Sequence, residues 1–364
     1  MLTLFNANKN RIIEADVQSN IVTLNIGSPA GNFIKKQLST AEWPKYLQEK
    51  MDSGYKEIEV KTEKKQSKRH PVIENLARIS RQIIEENYKF HITPSKESIS
   101  EAKNLLLELA KEENLISFNQ TLYKLFELIP RKMKNPILFT AKNTDEFHAV
   151  LERENDLLDN LDSYQTGEDE SDDLISCRDC TREEEESILK HLDDRTAKSF
   201  KRAYAVSNRE TDDAFSAYLK KNGIEKTKYL YHGSRNENWY SIIKTGLKVN
   251  PVNVIVTGKM FGNGIYFAPN ADKSNGYTSL SGSRHANGHD DTAYLGVFEV
   301  ATGNEYKTEQ WSSKDMNLTE DSFRKIYPGK NSLHAVAGSY LRADEVIVYN
   351  NNACRIKYLM ELKR

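Results

Sequence analysis

The stretch GKMFGNGIYFAPNADKSNGY, residues 258–277, combines four glycines with a run of apolar and aromatic residues. A packed core favours larger side chains at the glycine positions, and an ordinary loop does not need the aromatic ones. A pocket for a flat ring needs both, because glycine lets the backbone approach a ligand closely. We expect Tyr266 on a strand and Tyr277 to return over it, with Ser274 near any polar group on the ring. Two core tyrosines are the structural alternative.

Two other segments place polar residues at the ends of expected strands. His232, Gly233 and Ser234 follow the strand-like run KYLY, so the Gly233 backbone can face an amide and the His232 side chain can donate to a sugar hydroxyl. Glu345 opens the apolar run EVIVY, where an unpaired carboxylate is costly to bury. A strand-to-helix turn and a solvated strand end are the structural alternatives to a binding site.

Composition limits the class of protein. The chain has 364 residues, a net charge of -1 and 38% hydrophobic residues, which is ordinary for a globular protein of more than one domain. It shows no signal-peptide pattern and no apolar run near the about 20 residues that cross a bilayer, so we expect no membrane partner. Three cysteines, Cys177, Cys180 and Cys354, exclude a disulfide framework and favour an intracellular protein.

The sequence also predicts no bound metal. The CxxC pair lacks the further Cys or His ligands that a structural zinc site needs. His285 and His289, beside Asp290 and Asp291, imitate a metal cluster, but they lie in a polar turn region that we interpret as a solvated loop.

Changes in pattern along the chain predict an α+β multidomain protein with three domains and two linkers. These are a small β-rich module (1–58), a basic linker (59–70), an α-helical bundle (71–163), an acidic linker (164–186) and a mostly antiparallel β domain (187–364).

Within the module, IIEADV and NIVTLNI are typical of strands, and STAEWPKYLQEKMDSGY of a helix capped by Ser39 or Thr40 that ends before Gly54. The bundle contains four amphipathic segments at helical spacing. In the last domain six strand-like runs surround a single predicted helix, ENWYSIIKTG. The basic linker is either solvated chain or a nucleic-acid contact.

Together these segments resemble the catalytic domain of the poly(ADP-ribose) polymerase (PARP) family. The family's triad of histidine, tyrosine and glutamate matches His232 in YHGS, Tyr266 in GNGIYFA and Glu345 in DEVIVY, in the same order. Upstream, LYKLFELIP and LERENDLLDNLDSY resemble the family's helical regulatory domain. Residues 1–58 resemble a WGR domain more weakly.

The resemblance implies a split β-sheet ADP-ribosyltransferase domain with NAD+ as its substrate and no metal. It implies that nicotinamide lies between Tyr266 and Tyr277, that its amide binds Ser274 and the Gly233 backbone, and that His232 holds the adenosine ribose. The remaining implied NAD+ contacts are Ser234, Asn238, Lys248 and Ala268. Glu345 would bind the ribose 2'-hydroxyl, stabilise the cation that forms, and activate an acceptor hydroxyl.

The implied function is transfer of ADP-ribose to protein side chains, including the chain's own, with chain elongation because Glu345 is retained. It also implies a DNA damage response, DNA or RNA bound through the N-terminal module and basic linker, and a nuclear location in a eukaryote or a cytoplasmic one otherwise. The alternatives are mono-ADP-ribosylation, modification of nucleic-acid ends and an inactive NAD+-binding scaffold.

Three departures from the family's pattern count against DNA activation, acceptor contact and chain elongation, in that order. The motif that names the WGR domain reads Asn25-Ile26-Gly27 here, Asn263 stands where the family commonly has lysine, and the stretch between FEVATGNEY and DEVIVY is short.

Overall fold

The structure is a computed structural model that describes residues 2–6, 9, 11–18, 20–28, 33–57, 69–88, 94–165, 174–249, 260–283, 286 and 288–364. Most of the predicted basic linker, part of the acidic linker and His285 lie outside these residues. The chain divides into two compact units, Met1–Lys68 and Arg69–Arg364.

The first unit is a five-stranded antiparallel sheet with one helix. The sheet order is β4-β3-β2-β1-β5. Its elements are β1 Leu2–Asn6, β2 Arg11–Gln18, β3 Ile21–Gly27, β4 Ile34–Ser39, α1 Trp43–Asp52 and β5 Lys56–Glu57.

Helix α1 begins later than predicted, because Ser39 is the last residue of strand β4 and Thr40 follows in a turn. The Glu42 carboxylate accepts hydrogen bonds from Ser39 N at 3.0 Å and Ser39 Oγ at 2.7 Å, which fixes this turn. Pro44 lies in the first turn of the helix, where proline is favoured, which agrees with a helix that begins at Trp43.

Four helices follow, in agreement with the four amphipathic segments of the sequence. They are α2 Pro71–Asn87, α3 Lys96–Leu109, α4 Leu115–Leu128 and α5 Phe147–Gln165. Polar side chains cap them: Ser95 accepts from Ser98 N, and Asn114 accepts from Ile116 N. The apolar faces of α3, α4 and α5 meet in one buried cluster around Leu106, Phe118 and Leu158.

The described residues in the rest of the second unit form two sheets, of orders β6-β7-β14-β10-β8 and β11-β12-β13-β9. Among these residues the strand pairs are antiparallel, except for the parallel pair β11–β12. The strands are β6 Ile175–Asp179, β7 Phe200–Asn208, β8 Lys228–Gly233, β9 Ile265–Phe267, β10 Thr292–Val300, β11 Glu305–Thr308, β12 Ser332–Ala335, β13 Glu345–Val348 and β14 Cys354–Lys363. The helices are α6 Arg182–Leu189, α7 Asp194–Ser199, α8 Arg209–Asn222, α9 Trp239–Thr245, α10 Ala271–Asn275 and α11 Glu320–Ile326.

The sequence interpretation missed part of this half. Strand β6 and the first turns of α6 lie within the predicted acidic linker, because β6 pairs along β7 and a Thr181–Glu184 capping box starts α6. The prediction of one helix was also wrong. Helix α8 is largely polar and buries Phe215 alone, so its apolar periodicity is weak.

Helix α2 belongs to two cores. Val72, Ile73 and Leu76 pack in the same buried cluster as Trp239 and Phe298 of the sheet half, whereas Ile84 joins the bundle cluster. The bundle and the sheets are therefore one packed body. Among the described residues, no helix has the length and apolar character needed to cross a bilayer.

Candidate active site

The three triad residues of the sequence prediction lie on neighbouring strands. Strand β13 pairs with β9, with Ile347 opposite Tyr266, and β8 meets β9 through two 2.9 Å backbone bonds between Tyr231 and Ala268. His232, at the end of β8, lies with its Nδ1 2.9 Å from the Tyr266 carbonyl oxygen. The junction of the two sheets therefore brings the histidine and tyrosine together.

Glu345 is buried at the first position of β13, 6% exposed. Its Oε1 forms a 2.7 Å ion pair with Lys273, whose Nζ also donates to the Ala343 carbonyl at 2.9 Å. Its Oε2 has no hydrogen-bond partner in the described part of the chain. Burial raises the pKa of this carboxyl, and Lys273 opposes the rise. One carboxylate oxygen is thus held in place while the other remains able to accept from a ligand hydroxyl.

Lys273 was missed by the sequence interpretation. It stands beside Asp272 in NADKSNGY, within a short helix that Asn270 caps through its side chain. The sequence carries no signal that separates it from an exposed surface lysine.

Gly233 is packed too tightly for any side chain. A Cβ there would lie 1.9 Å from the Ser274 carbonyl oxygen and 3.2 Å from Tyr277 Cβ. The buried Ser274 Oγ donates to the Tyr231 carbonyl at 3.0 Å, so its lone pairs remain available as acceptors. The strand end of β8 and helix α10 thus form one wall, on which Gly233, Ser274 and Tyr277 are neighbours.

The two tyrosines predicted to form a slot both lie within electrostatic reach of Glu345. Burial raises the pKa of Tyr266 well above its usual value, and the Glu345 charge adds to the rise. Burial likewise raises the pKa of Tyr277, and the negative charges of Glu345 and Glu152 raise it further by smaller amounts. The Tyr266 hydroxyl is already used: it accepts from Phe261 N at 3.1 Å and donates to the Gly262 carbonyl at 2.8 Å.

Helix α5 of the bundle contacts the site directly, as hydrogen bonds to Asn238 show. Asn238, which precedes helix α9, donates to Asp156 of α5 at 3.0 Å and to Ser234 Oγ at 3.3 Å. Asn160 Nδ2 of α5 donates to the side-chain oxygen Oδ1 of Asn238 at 3.0 Å. Two of the predicted NAD+ contacts, Ser234 and Asn238, are therefore joined to the bundle through these bonds.

Helix α5 presents a row of acids to this part of the site. Glu152, Asp156 and Asp159 recur at helical spacing, which is the sequence signal that could have identified the contact. Burial raises the pKa of Asp156 to about 7, although a 3.0 Å hydrogen bond from Asn238 lowers it in part. Burial also raises the pKa of Asp159, and the charges of Lys103 and of the exposed Lys248 oppose that shift.

The residues whose sequence pattern imitates a metal site have other surroundings. In the residues that the structure covers, no three His, Cys, Asp or Glu side chains lie close enough together to bind a metal ion. Asp290 instead accepts a 2.8 Å hydrogen bond from Asn236. Burial raises the pKa of the Cys177 and Cys180 thiols to about 12.

Comparison with known proteins matches residues 183–364 to the family model described as the poly(ADP-ribose) polymerase catalytic domain. A relative named putative poly [ADP-ribose] polymerase-like 100L, from Invertebrate iridescent virus 6, is 31% identical over 186 residues, which are 50% of this chain and 98% of that protein.

Longer relatives match smaller shares of this chain. Poly [ADP-ribose] polymerase 2 of Homo sapiens is 31% identical over 37% of this chain and 26% of its own length. Poly [ADP-ribose] polymerase 1 of Oryza sativa subsp. japonica is 30% identical over 43% of this chain and 18% of its own length. The chain thus spans about a quarter or less of these two relatives. The family match over half of the chain, and the nearly complete coverage of the viral relative, show that this protein belongs to the poly(ADP-ribose) polymerase family.

Proposed function

We propose that this chain is an NAD+-dependent ADP-ribosyltransferase that cleaves nicotinamide from NAD+ and transfers ADP-ribose to protein side chains. One observation carries the proposal. Glu345 is a buried carboxylate with one oxygen held by Lys273 and the other without a partner among the described residues, on the strand paired with that of Tyr266. A buried anion with spare acceptor capacity suits a substrate that becomes cationic.

In this proposal the nicotinamide ring lies against Tyr277, beside Tyr266. Its amide bonds to the Gly233 backbone and to the Ser274 hydroxyl oxygen, which can still accept. Support comes from the close packing of Gly233 on Ser274 and Tyr277, which leaves backbone rather than side chain facing the ring. His232, packed edge-on against Phe267 with ring centroids 5.8 Å apart, is a rigid candidate for holding a ribose hydroxyl.

The remaining assigned contacts surround the same strand end. Ala268 holds β8 and β9 together through its backbone. Ser234, Asn238 and Lys248 are the proposed contacts to the adenosine and diphosphate side of NAD+.

The chemical step breaks the bond between ribose C1' and the nicotinamide nitrogen. The bonding electron pair leaves with neutral nicotinamide, and positive charge develops on the ribose ring. Glu345 accepts a hydrogen bond from the ribose 2'-hydroxyl and stabilises that charge, an effect worth several kcal/mol in preorganised sites (about 3–4 kcal/mol for one donor or acceptor). The acceptor oxygen then bonds to C1', and its proton passes to Glu345 or to solvent.

We also propose that the helical bundle restrains this site. Asp156 and Asn160 bond to Asn238, and Lys244 of α9 donates to the Ser163 carbonyl at 2.7 Å. A diphosphate entering near Asn238 would meet the acidic row of α5, which repels it. Loosening of α5 would therefore raise NAD+ turnover.

Chain elongation and nucleic-acid stimulation are parts of the proposal with separate support. Retention of Glu345 favours polymer growth over single transfer. In the first unit, Trp43 stacks on Tyr46 with centroids 6.1 Å apart, and Lys36 and Lys50 lie 5.0 and 4.9 Å from the Tyr46 ring centroid. Aromatic rings flanked by lysines are the usual elements of a nucleic-acid contact.

The test is incubation of the purified chain with labelled NAD+, with and without broken DNA, followed by sizing of the product. Label that migrates as a ladder and resists nuclease supports protein-linked polymer. A single sharp band instead indicates mono-ADP-ribosylation, and loss of label after nuclease digestion indicates a nucleic-acid acceptor. Absence of released nicotinamide in every condition would refute the enzyme and leave an NAD+-binding scaffold.

A further inference from the structure

A cluster of alternating charges lies directly before Glu345. His334 on β12 has Nδ1 3.1 Å from Glu305 Oε2 and Nε2 2.8 Å from Asp344 Oδ2. The His334 side chain is 11% exposed and that of Glu305 is 8% exposed. Glu305 also forms an ion pair with Lys228 of β8. Charges of opposite sign thus follow one another from Lys228 to Asp344.

Both ring nitrogens of His334 face carboxylate oxygens. A neutral imidazole donates from only one nitrogen, so this arrangement needs a proton on each. Both carboxyls favour ionisation. Burial raises the pKa of Glu305, but hydrogen bonds from Lys228 and His334 outweigh it and lower the pKa overall. At Asp344 burial is likewise outweighed, by the Ala337 backbone bond and by His334.

The cluster is coupled to Glu345 through one peptide unit. His334 lies opposite Val346 in the β12–β13 pair, so Asp344 and His334 share one face of the sheet. Glu345 points to the other face, where Lys273 holds it. Lys273 also binds the Ala343 carbonyl. The segment 343–345 is therefore fixed from two sides by two cations.

We propose that His334, held between two carboxylates, is a positioning residue, which sets the backbone of Asp344 and thereby aims the Glu345 carboxylate. When the ring is removed, Asp344 and Glu305 lose their shared partner. Turnover should then fall while NAD+ binding is kept. The inference rests on the proposed role of Glu345. The charged groups facing the cluster are Glu305, Asp344, Lys228 and, from α10, Lys273, whose positive charge also lowers the pKa of Asp344.

The test measures kcat and KM for nicotinamide release at a single pH. Wild type is compared with His334→Gln, which keeps an amide donor but cannot bridge both carboxylates as the ring does. The exposed His191, changed to Gln, is the matched control.

We expect His334→Gln to have kcat lowered about 10-fold, as for a small misplacement of a reacting group, with KM within about 2-fold of the wild-type value. Both constants of His191→Gln should stay near those of wild type.

A second variant keeps the test decisive if His334→Gln does not fold. Asp344→Ala removes the carboxylate through which His334 acts, so kcat should again fall with KM nearly unchanged. A wild-type kcat in His334→Gln or in Asp344→Ala overturns the inference while the transferase proposal stands. If Glu345→Gln releases nicotinamide at the wild-type rate, the proposed function fails and this inference fails with it.

Discussion

At the scale of single residues, Glu345 depends on a balance between burial and one cation. Burial favours the neutral acid and Lys273 favours the carboxylate. The proposed chemistry needs the carboxylate, so activity should be lost as the pH falls through the pKa of Glu345. Because Lys273 counters the raised pKa, it extends the active range towards lower pH.

Replacing Lys273 by Met should therefore move the acid limb of kcat/KM to higher pH. At neutral pH we expect a loss of about 10-fold to 100-fold, since a buried carboxylate loses its charged partner. Lys273→Arg, which keeps the charge, is the matched control and should retain most of the activity. Thermal unfolding checks that Lys273→Met is folded. If the acid limb of kcat/KM in the folded variant lies at the same pH as in wild type, this role is contradicted.

The residues of this site differ in how far sequence could identify them. His232, Tyr266 and Glu345 stand in dense motifs, and the structure brings their strands together. Lys273 and His334 act through partners far away in sequence, such as Glu345 and Glu305. Such pairings depend on strand register, which a motif does not encode.

At the scale of elements, helix α5 connects the bundle to the site. The Asp156 carboxyl has its pKa raised to about 7 where α5 is docked, mainly by burial. In an exposed helix its pKa would return towards 3.8, its usual value. The docked state therefore binds more protons, so docking is favoured by acid and weakens as the pH rises towards about 7.

Asp156→Asn tests this linkage. Wild-type basal turnover, without DNA, should rise as the pH increases towards about 7 and level off above it. Asp156→Asn removes the titration, so its profile should lack this rise. Asp156→Ala also removes the bond to Asn238, and basal kcat/KM should increase about 5-fold, at the low end of common coupling energies. Exposed Asp145→Ala is the control. Identical basal profiles for all proteins would argue against restraint by α5.

Element prediction succeeded where apolar periodicity was strong. The bundle helices carry leucine and isoleucine at helical spacing, and the central strands carry continuous apolar runs. It failed at β6, whose exposed residues outnumber its half-buried ones, and at β11 and α8, which are mostly polar. Backbone pairing with a neighbouring strand determines β6 and β11, and capping helps determine α8, whereas the hydrophobic pattern of each segment is weak.

At the scale of the whole molecule, the packing of α2 changes how regulation can be tested. Val72, Ile73 and Leu76 lie in the core of the sheet half. Deleting residues 71–163 would remove part of that core, so loss of activity after such a deletion would reflect unfolding. Substitutions on α5 test whether this helix restrains the site without removing the α2 side chains from the core.

The first unit provides a second test at this scale. Changing Lys36 and Lys50 together to Gln should weaken DNA binding and reduce the slope of log affinity against log salt by about 2 if both lysines contact phosphate. The matched double variant changes the exposed Lys45 and Lys56 to Gln. Equal affinities and equal slopes for the two double variants would exclude the Trp43–Tyr46 surface as the contact.

The most direct test of the account measures nicotinamide released from NAD+ by the full chain and by Glu345→Gln, with NAD+ affinity determined for both. The account predicts release by wild type, affinities within about 3-fold, and release at least about 100-fold slower in the variant, as when a preorganised transition-state contact is lost. Equal release by the two proteins, or none by wild type with or without broken DNA, would contradict it.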